Sequence, residues 1–61
     1  MTARDIAIKE LKAAGYFFDG HGAKHDKYYN PDLHKTIVLK RHAVTENTLR
    51  YIRKEIEENR K

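Results

Sequence analysis

A chain of 61 residues without a single cysteine has few ways to stay folded. Domains this short bury a limited fraction of the surface their unfolded chain exposes, and disulfides or cysteine-based zinc sites are the usual supplement at this size. Neither can form here. The fold must rest on one apolar core, in one domain spanning residues 1–61, and its stability is marginal unless a partner adds to it. Apolar residues make up 39% and charged residues 36% of the chain, which allows a thin core under a heavily solvated surface. Disorder does not fit, because Ile, Leu, Val, Phe and Tyr return at regular spacing.

That regularity divides the chain into five segments. Thr2, with Asp5 three residues later, opens a helix in the manner of a capping box. Ile6, Ala7, Leu11 and Ala14 then fall on one side at helical spacing. Gly15 supplies the left-handed stop, so a first helix is predicted from about Ala3 to Ala14. Tyr16-Phe17-Phe18 reads as a strand with Tyr16 and Phe18 on one face, and Gly20-His21-Gly22 breaks it and turns the chain. A second strand runs from His25 to Tyr29, with Asp26 and Tyr28 on one face and His25, Lys27 and Tyr29 on the other.

Asn30-Pro31-Asp32 is a turn, and Thr36-Ile37-Val38-Leu39 is the clearest strand, with Ile37 and Leu39 sharing a face. Thr45 caps a second helix, where Glu46 meets the dipole and Val44 can staple to Leu49. Leu49, Ile52 and Ile56 carry its apolar stripe. The predicted fold is α+β in the order α-β-β-β-α: a three-stranded antiparallel sheet with both helices on one face and the other face open. Double-stranded-RNA-binding domains have this order of elements, though a shared fold says little about function. The predicted core is Ile6, Leu11, Tyr16, Phe18, Tyr28, Ile37, Leu39, Leu49, Ile52 and Ile56.

Thirteen Lys and Arg against nine Asp and Glu leave a net charge of +4. For a small domain this points to an anionic partner, nucleic acid before membrane. No apolar run reaches bilayer length and the N-terminus lacks a basic-then-apolar signal pattern, so a cytoplasmic protein with no membrane partner is expected.

Four histidines could carry chemistry: His21, His25, His34 and His42. His21 and His25 are four apart, a metal-ligand spacing on a helix, but Gly20 and Gly22 argue against a helix and no carboxylate cluster completes a site. No metal and no other cofactor is expected. His21 and His34 read as ordinary exposed turn and strand histidines. His25 differs in its company, with Lys24 and Lys27 flanking it and Lys40 and Arg41 ending the neighbouring strand. An imidazole near neutral pH can take the proton of a 2′-hydroxyl or give one to a leaving 5′-oxygen, and adjacent cations can hold the phosphate. Tyr28 belongs to the core. Tyr29, on the open face, is equally readable as a base-stacking side chain or as a plain strand tyrosine. Arg50, Arg53 and Lys54 form a basic patch on the second helix, read first as a solvated face paired with Glu46 and Glu57.

The segment Gly22-Ala23-Lys24-His25-Asp26-Lys27-Tyr28, followed by Asn30-Pro31-Asp32, resembles the HicA family pattern: a small-residue turn, a histidine, and an aromatic three residues on. Ile37-Val38-Leu39-Lys40-Arg41-His42 resembles that family's third strand with its closing histidine. Asn47-Thr48-Leu49-Arg50-Tyr51-Ile52 resembles the start of its last helix. Asp5-Ile6, Leu11 and Ala14-Gly15-Tyr16 match its first helix and first strand, so the resemblance spans about Arg4 to Ile56. It departs at Ala23-Lys24, where many relatives have Gly-Ser, at Asp26-Lys27, at Lys40 in place of a proline, and at Asn47 in place of a glycine.

The resemblance implies an mRNA interferase, the toxin of a type II toxin–antitoxin pair, involved in stress response and neutralised by a HicB-type antitoxin. It implies a catalytic role for His25, the strand-two histidine. The expectation is a metal-independent endoribonuclease acting on mRNA, with Lys24, Lys27, Tyr29, Lys40, Arg41 and His42 as RNA-binding residues. Two rivals use the same features: a non-catalytic RNA-binding module, and an interaction protein whose open face docks an acidic partner.

Overall fold

The computed structural model describes residues 1–60. Its element order is α1 (Ala3–Ala13), β1 (Phe17–His21), β2 (His25–Asn30), β3 (Lys35–Lys40) and α2 (Glu46–Asn59). The fold is the expected α-β-β-β-α, an antiparallel sheet in the order β1-β2-β3.

Local chemistry explains each boundary. Thr2 caps α1 reciprocally: its Oγ1 accepts from the Asp5 N–H at 3.1 Å, and its own N–H donates to Asp5 Oδ2 at 3.2 Å. The helix stops where Gly15 takes φ +93°, a conformation that costs glycine little. Asn30 seals this corner. Its Nδ2 donates to the Ala14 carbonyl at 3.2 Å while its Oδ1 accepts from the N–H groups of Asp32 and Leu33. One buried amide therefore closes the end of α1 and shapes the β2–β3 turn. Thr45 caps α2 in the same reciprocal way, with Thr48 in the role usually given to Glu.

The core is Ala7, Leu11, Tyr16, Tyr28, Ile37, Leu39, Leu49 and Ile52, drawn from both helices, β2, β3 and the turn before β1. Ile37 and Leu39 point inward and Val38 outward, as alternation requires. Ile6 and Ile56, expected in the core, lie partly buried at its rim, and Val44 packs there as well. An ion pair from Arg53 Nε to Glu10 at 2.9 Å ties α2 to α1, so the partner of Arg53 is on the other helix and not the expected Glu46 or Glu57.

Phe18 departs from expectation. It faces the helix side opposite Tyr28, yet it is 50% exposed. The cause is lateral: α2 packs on β3 and α1 packs on α2, which leaves β1 as the uncovered edge. Phe18 packs edge-to-face with Tyr28 and His21, with ring centroids 5.9 and 4.9 Å away.

The first strand also runs further than expected. Gly20 and His21 belong to β1, and the chain turns after them, through Gly22–Lys24. A bulge at Asp19 makes this possible: Phe18 pairs with Tyr28, but Gly20 pairs with Lys27 and His21 with Asp26. One extra residue moves all that follows to the opposite face. His21, which uninterrupted alternation would leave on the open face, joins the helix side.

Candidate functional site

The open face and the buried face meet at one end of the sheet, where β1 ends, β2 begins and β3 ends. Asp26 organises this end from the buried side. A carboxylate at an inward strand position must be paired, because an unpaired buried charge is costly. Arg4 of α1, His21 of β1 and Arg41, the residue just after β3, supply the pairing. Arg4 of α1 donates to Oδ2 at 2.7 Å, and His21 Nδ1 (2.7 Å) and Arg41 Nε (3.0 Å) meet Oδ1. Hydrogen bonds from His21, Arg4 and Arg41 outweigh the upward push of burial and lower the Asp26 carboxyl to about 2.

The two arginines also hold backbone. Arg4 Nη1 donates to the Lys40 carbonyl at 2.7 Å, and Arg41 Nη2 donates to the Gly22 carbonyl. The Gly22 N–H donates to the His25 carbonyl at 2.6 Å, closing the turn that leads into β2. The β1–β2 turn is thus fastened to the end of β3, and His25 is the first residue after it.

His25 sits next to Asp26 in sequence and therefore on the opposite face, half-buried, with Lys40 as its cross-strand partner. It stands between two clefts. The smaller, of about 370 Å³, is lined by Ala23, Lys24, His25, Lys40, Arg41 and His42. The larger, of about 610 Å³, brings His25, Val38 and Lys40 together with Asn47, Thr48 and Tyr51 of α2, which reaches over the β3 edge. His25 and Lys40 belong to both.

Of the residues singled out in the sequence, Lys24, His25, Lys40, Arg41 and His42 come together at this end. Lys27 and Tyr29 share the face but lie farther along β2; four residues of strand put Tyr29 roughly 13 Å from His25. Tyr29 Oη is 3.1 Å from His34 Nδ1, and Lys27 lies exposed opposite Val38. Arg41 lines the smaller cleft, but its Nε and Nη2 are spent on Asp26 and Gly22, so its first duty is to hold the turn. His21 is a correction: it is no idle turn histidine but one of the three groups on Asp26.

Sequence reasoning missed the Asp26 cluster and the α2 wall of the larger cleft. The first had a signal, since Asp26 was already assigned to the buried side of its strand and had to be paired. The second had none, because how far a helix overhangs a sheet edge is not written in its periodicity. Among the described residues no group of three His, Asp or Glu side chains is placed to hold a metal ion, and no helix is long and apolar enough to cross a membrane. No family model, curated protein or solved structure matches the chain.

Proposed function

We propose that this protein is an endoribonuclease of the HicA kind: the mRNA-cleaving toxin of a toxin–antitoxin pair, acting in the cytoplasm without a cofactor and silenced by a HicB-type antitoxin. The observation that carries this reading is the position of His25 beside Lys40, on the ridge shared by two clefts, with Lys24 at its other side. In the proposed reaction the imidazole accepts the proton of a ribose 2′-hydroxyl, or donates one to the departing 5′-oxygen, as the 2′-oxygen attacks phosphorus and the P–O5′ bond breaks, with solvent water completing the other proton transfer. Lys24 and Lys40 offset the negative charge that builds on the phosphoryl oxygens. Lys27, Tyr29, Arg41 and His42 extend the RNA-binding surface on either side. An antitoxin that covers the open face would block His25 directly, and an acidic one would be steered to it by charge.

The rival, an RNA-binding module without catalysis, also has an observation in its favour. Among the described residues, the ring-bonded histidines are His21, on Asp26, and His34, on Tyr29; no side chain of that set bonds the His25 ring. Catalytic contacts often tighten only when substrate binds. Labelled RNA incubated with the purified protein decides. His25→Ala is expected to lower the cleavage rate by about 10²–10⁴-fold while RNA binding and the far-ultraviolet spectrum stay as they were. Full cleavage by the variant would discard the mechanism and favour the binding module.

A further inference from the structure

The larger cleft contributes nothing to the phosphate chemistry beyond the His25 and Lys40 side chains on its rim, and its remaining walls are of a different character. Val38 and Tyr51 are large side chains left 41% and 49% exposed, on β3 and α2 respectively. Tyr51 Oη donates to Glu55 Oε1 at 2.9 Å, one turn along α2, which restrains the ring against swinging into solvent. Asn47, in the first turn of α2, presents an exposed amide to the same cleft, and an amide carries both a donor and an acceptor. The volume of about 610 Å³ lies within the range of small-molecule sites, about 300–1,000 Å³. A flat apolar wall, an amide and a cationic rim match the three parts of one nucleotide: base face, base edge and phosphate.

We infer that this cleft is a base-binding subsite for single-stranded RNA, with Tyr51 as the stacking side chain and Asn47 as the residue that reads the base edge. The inference rests on the RNA reading of the His25 surface and deepens it: the phosphate crosses the His25–Lys40 ridge, and the base of the adjoining nucleotide drops into the larger cleft. Unpaired bases can be splayed out and stacked in this way, whereas bases held in a duplex cannot. The substrate class is therefore single-stranded RNA, although the order of elements is that of domains that grip duplexes.

Binding of short fluorescent RNAs of one base type (all-A, all-C or all-U) and of an abasic strand of equal length tests this. The proteins carry His25→Ala so that no strand is cut. Adding Tyr51→Ala should weaken the base-bearing strands about tenfold to a hundredfold, the weight of one stacked base, and leave the abasic strand unchanged. Tyr51→Phe, which keeps the ring, should retain most of the affinity. Asn47→Ala should change the ranking among the three bases without touching the abasic strand. Unchanged affinities in Tyr51→Ala, with Lys24 and Lys40 substitutions still weakening all strands, would overturn the inference, keep the RNA reading and leave the cleft to a protein partner. Equal losses on base-bearing and abasic strands would overturn it too, by showing that Tyr51 supports the fold. If the parent binds no strand, the RNA reading falls and takes this inference with it.

Discussion

At the scale of the residue, Asp26 decides more than any other side chain. It joins α1, β1 and the segment just after β3 through three hydrogen bonds, and the residue beside it is His25. Because its folded-state pKa is lowered to about 2, below the usual carboxylate value of about 3.9, folding favours its ionised form. The resulting stability is fully present above pH 4 or so and is lost as pH falls toward 2. Urea titrations at pH 6 and pH 2.5 should show a large drop in midpoint for the parent. Asp26→Asn should start lower at pH 6 and lose less between the two, since the proton has nothing left to disrupt. A variant that keeps the parent's acid sensitivity would shift that role to another carboxylate, with Asp5, lowered by its bonds to Thr2, the first to test. The inward position of Asp26 was legible in the sequence from period-two alternation alone. Its partners were not, because Arg4 and Arg41 lie 22 and 15 residues away and nothing local links them.

The elements were legible where periodicity runs unbroken. Both helices and their threonine caps, the inward Ile37 and Leu39, and the outward faces of β2 and β3 follow directly from spacing. β1 broke the reading in two ways. Its edge position leaves Phe18 half-exposed, which depends on where the helices lie and not on the strand itself. Its bulge adds one residue, so Gly20 was taken for a turn when it is a strand residue at φ +135°. That angle is nearly exclusive to glycine, although space for a side chain exists, with no atom within 4 Å of an added Cβ. Gly20→Ala should thus cost about 1–3 kcal/mol through backbone strain alone, read as a lower urea midpoint. It should also loosen His21 from Asp26, because the bulge is what turns His21 inward, and the Asp26 carboxyl resonance should then titrate at higher pH. An unchanged midpoint and titration would mean that the strand tolerates a regular register here and that the bulge does not position His21.

On the scale of the whole molecule, a radius of gyration of 10.6 Å leaves little interior, and most of the charge lies outside it. The cations divide by function. Arg4, Arg41 and Arg53 are committed to carboxylates within the fold, whereas Lys24, Lys27 and Lys40 lie exposed on the side of His25. Of these six, the lysines can neutralise phosphate without giving up a bond inside the fold. RNA affinity under the proposed function should therefore fall steeply with salt, since each phosphate contact releases counterions. Replacing Lys24, Lys27 and Lys40 together with Ala should weaken all RNA sequences alike and flatten the plot of log affinity against log salt by about 0.7 per lost single-strand contact, roughly 2 in total. Arg41 is left in place for a reason. Its loss would release the Gly22 turn and unpair Asp26, and a folding defect would then be mistaken for a binding one. The triple lysine variant should keep the parent's urea midpoint within about 0.5 kcal/mol, as surface substitutions usually do. A flattened slope with unchanged stability would assign the anion-binding surface to the open face. An unchanged slope would move it to the exposed Arg50 and Lys54 of α2.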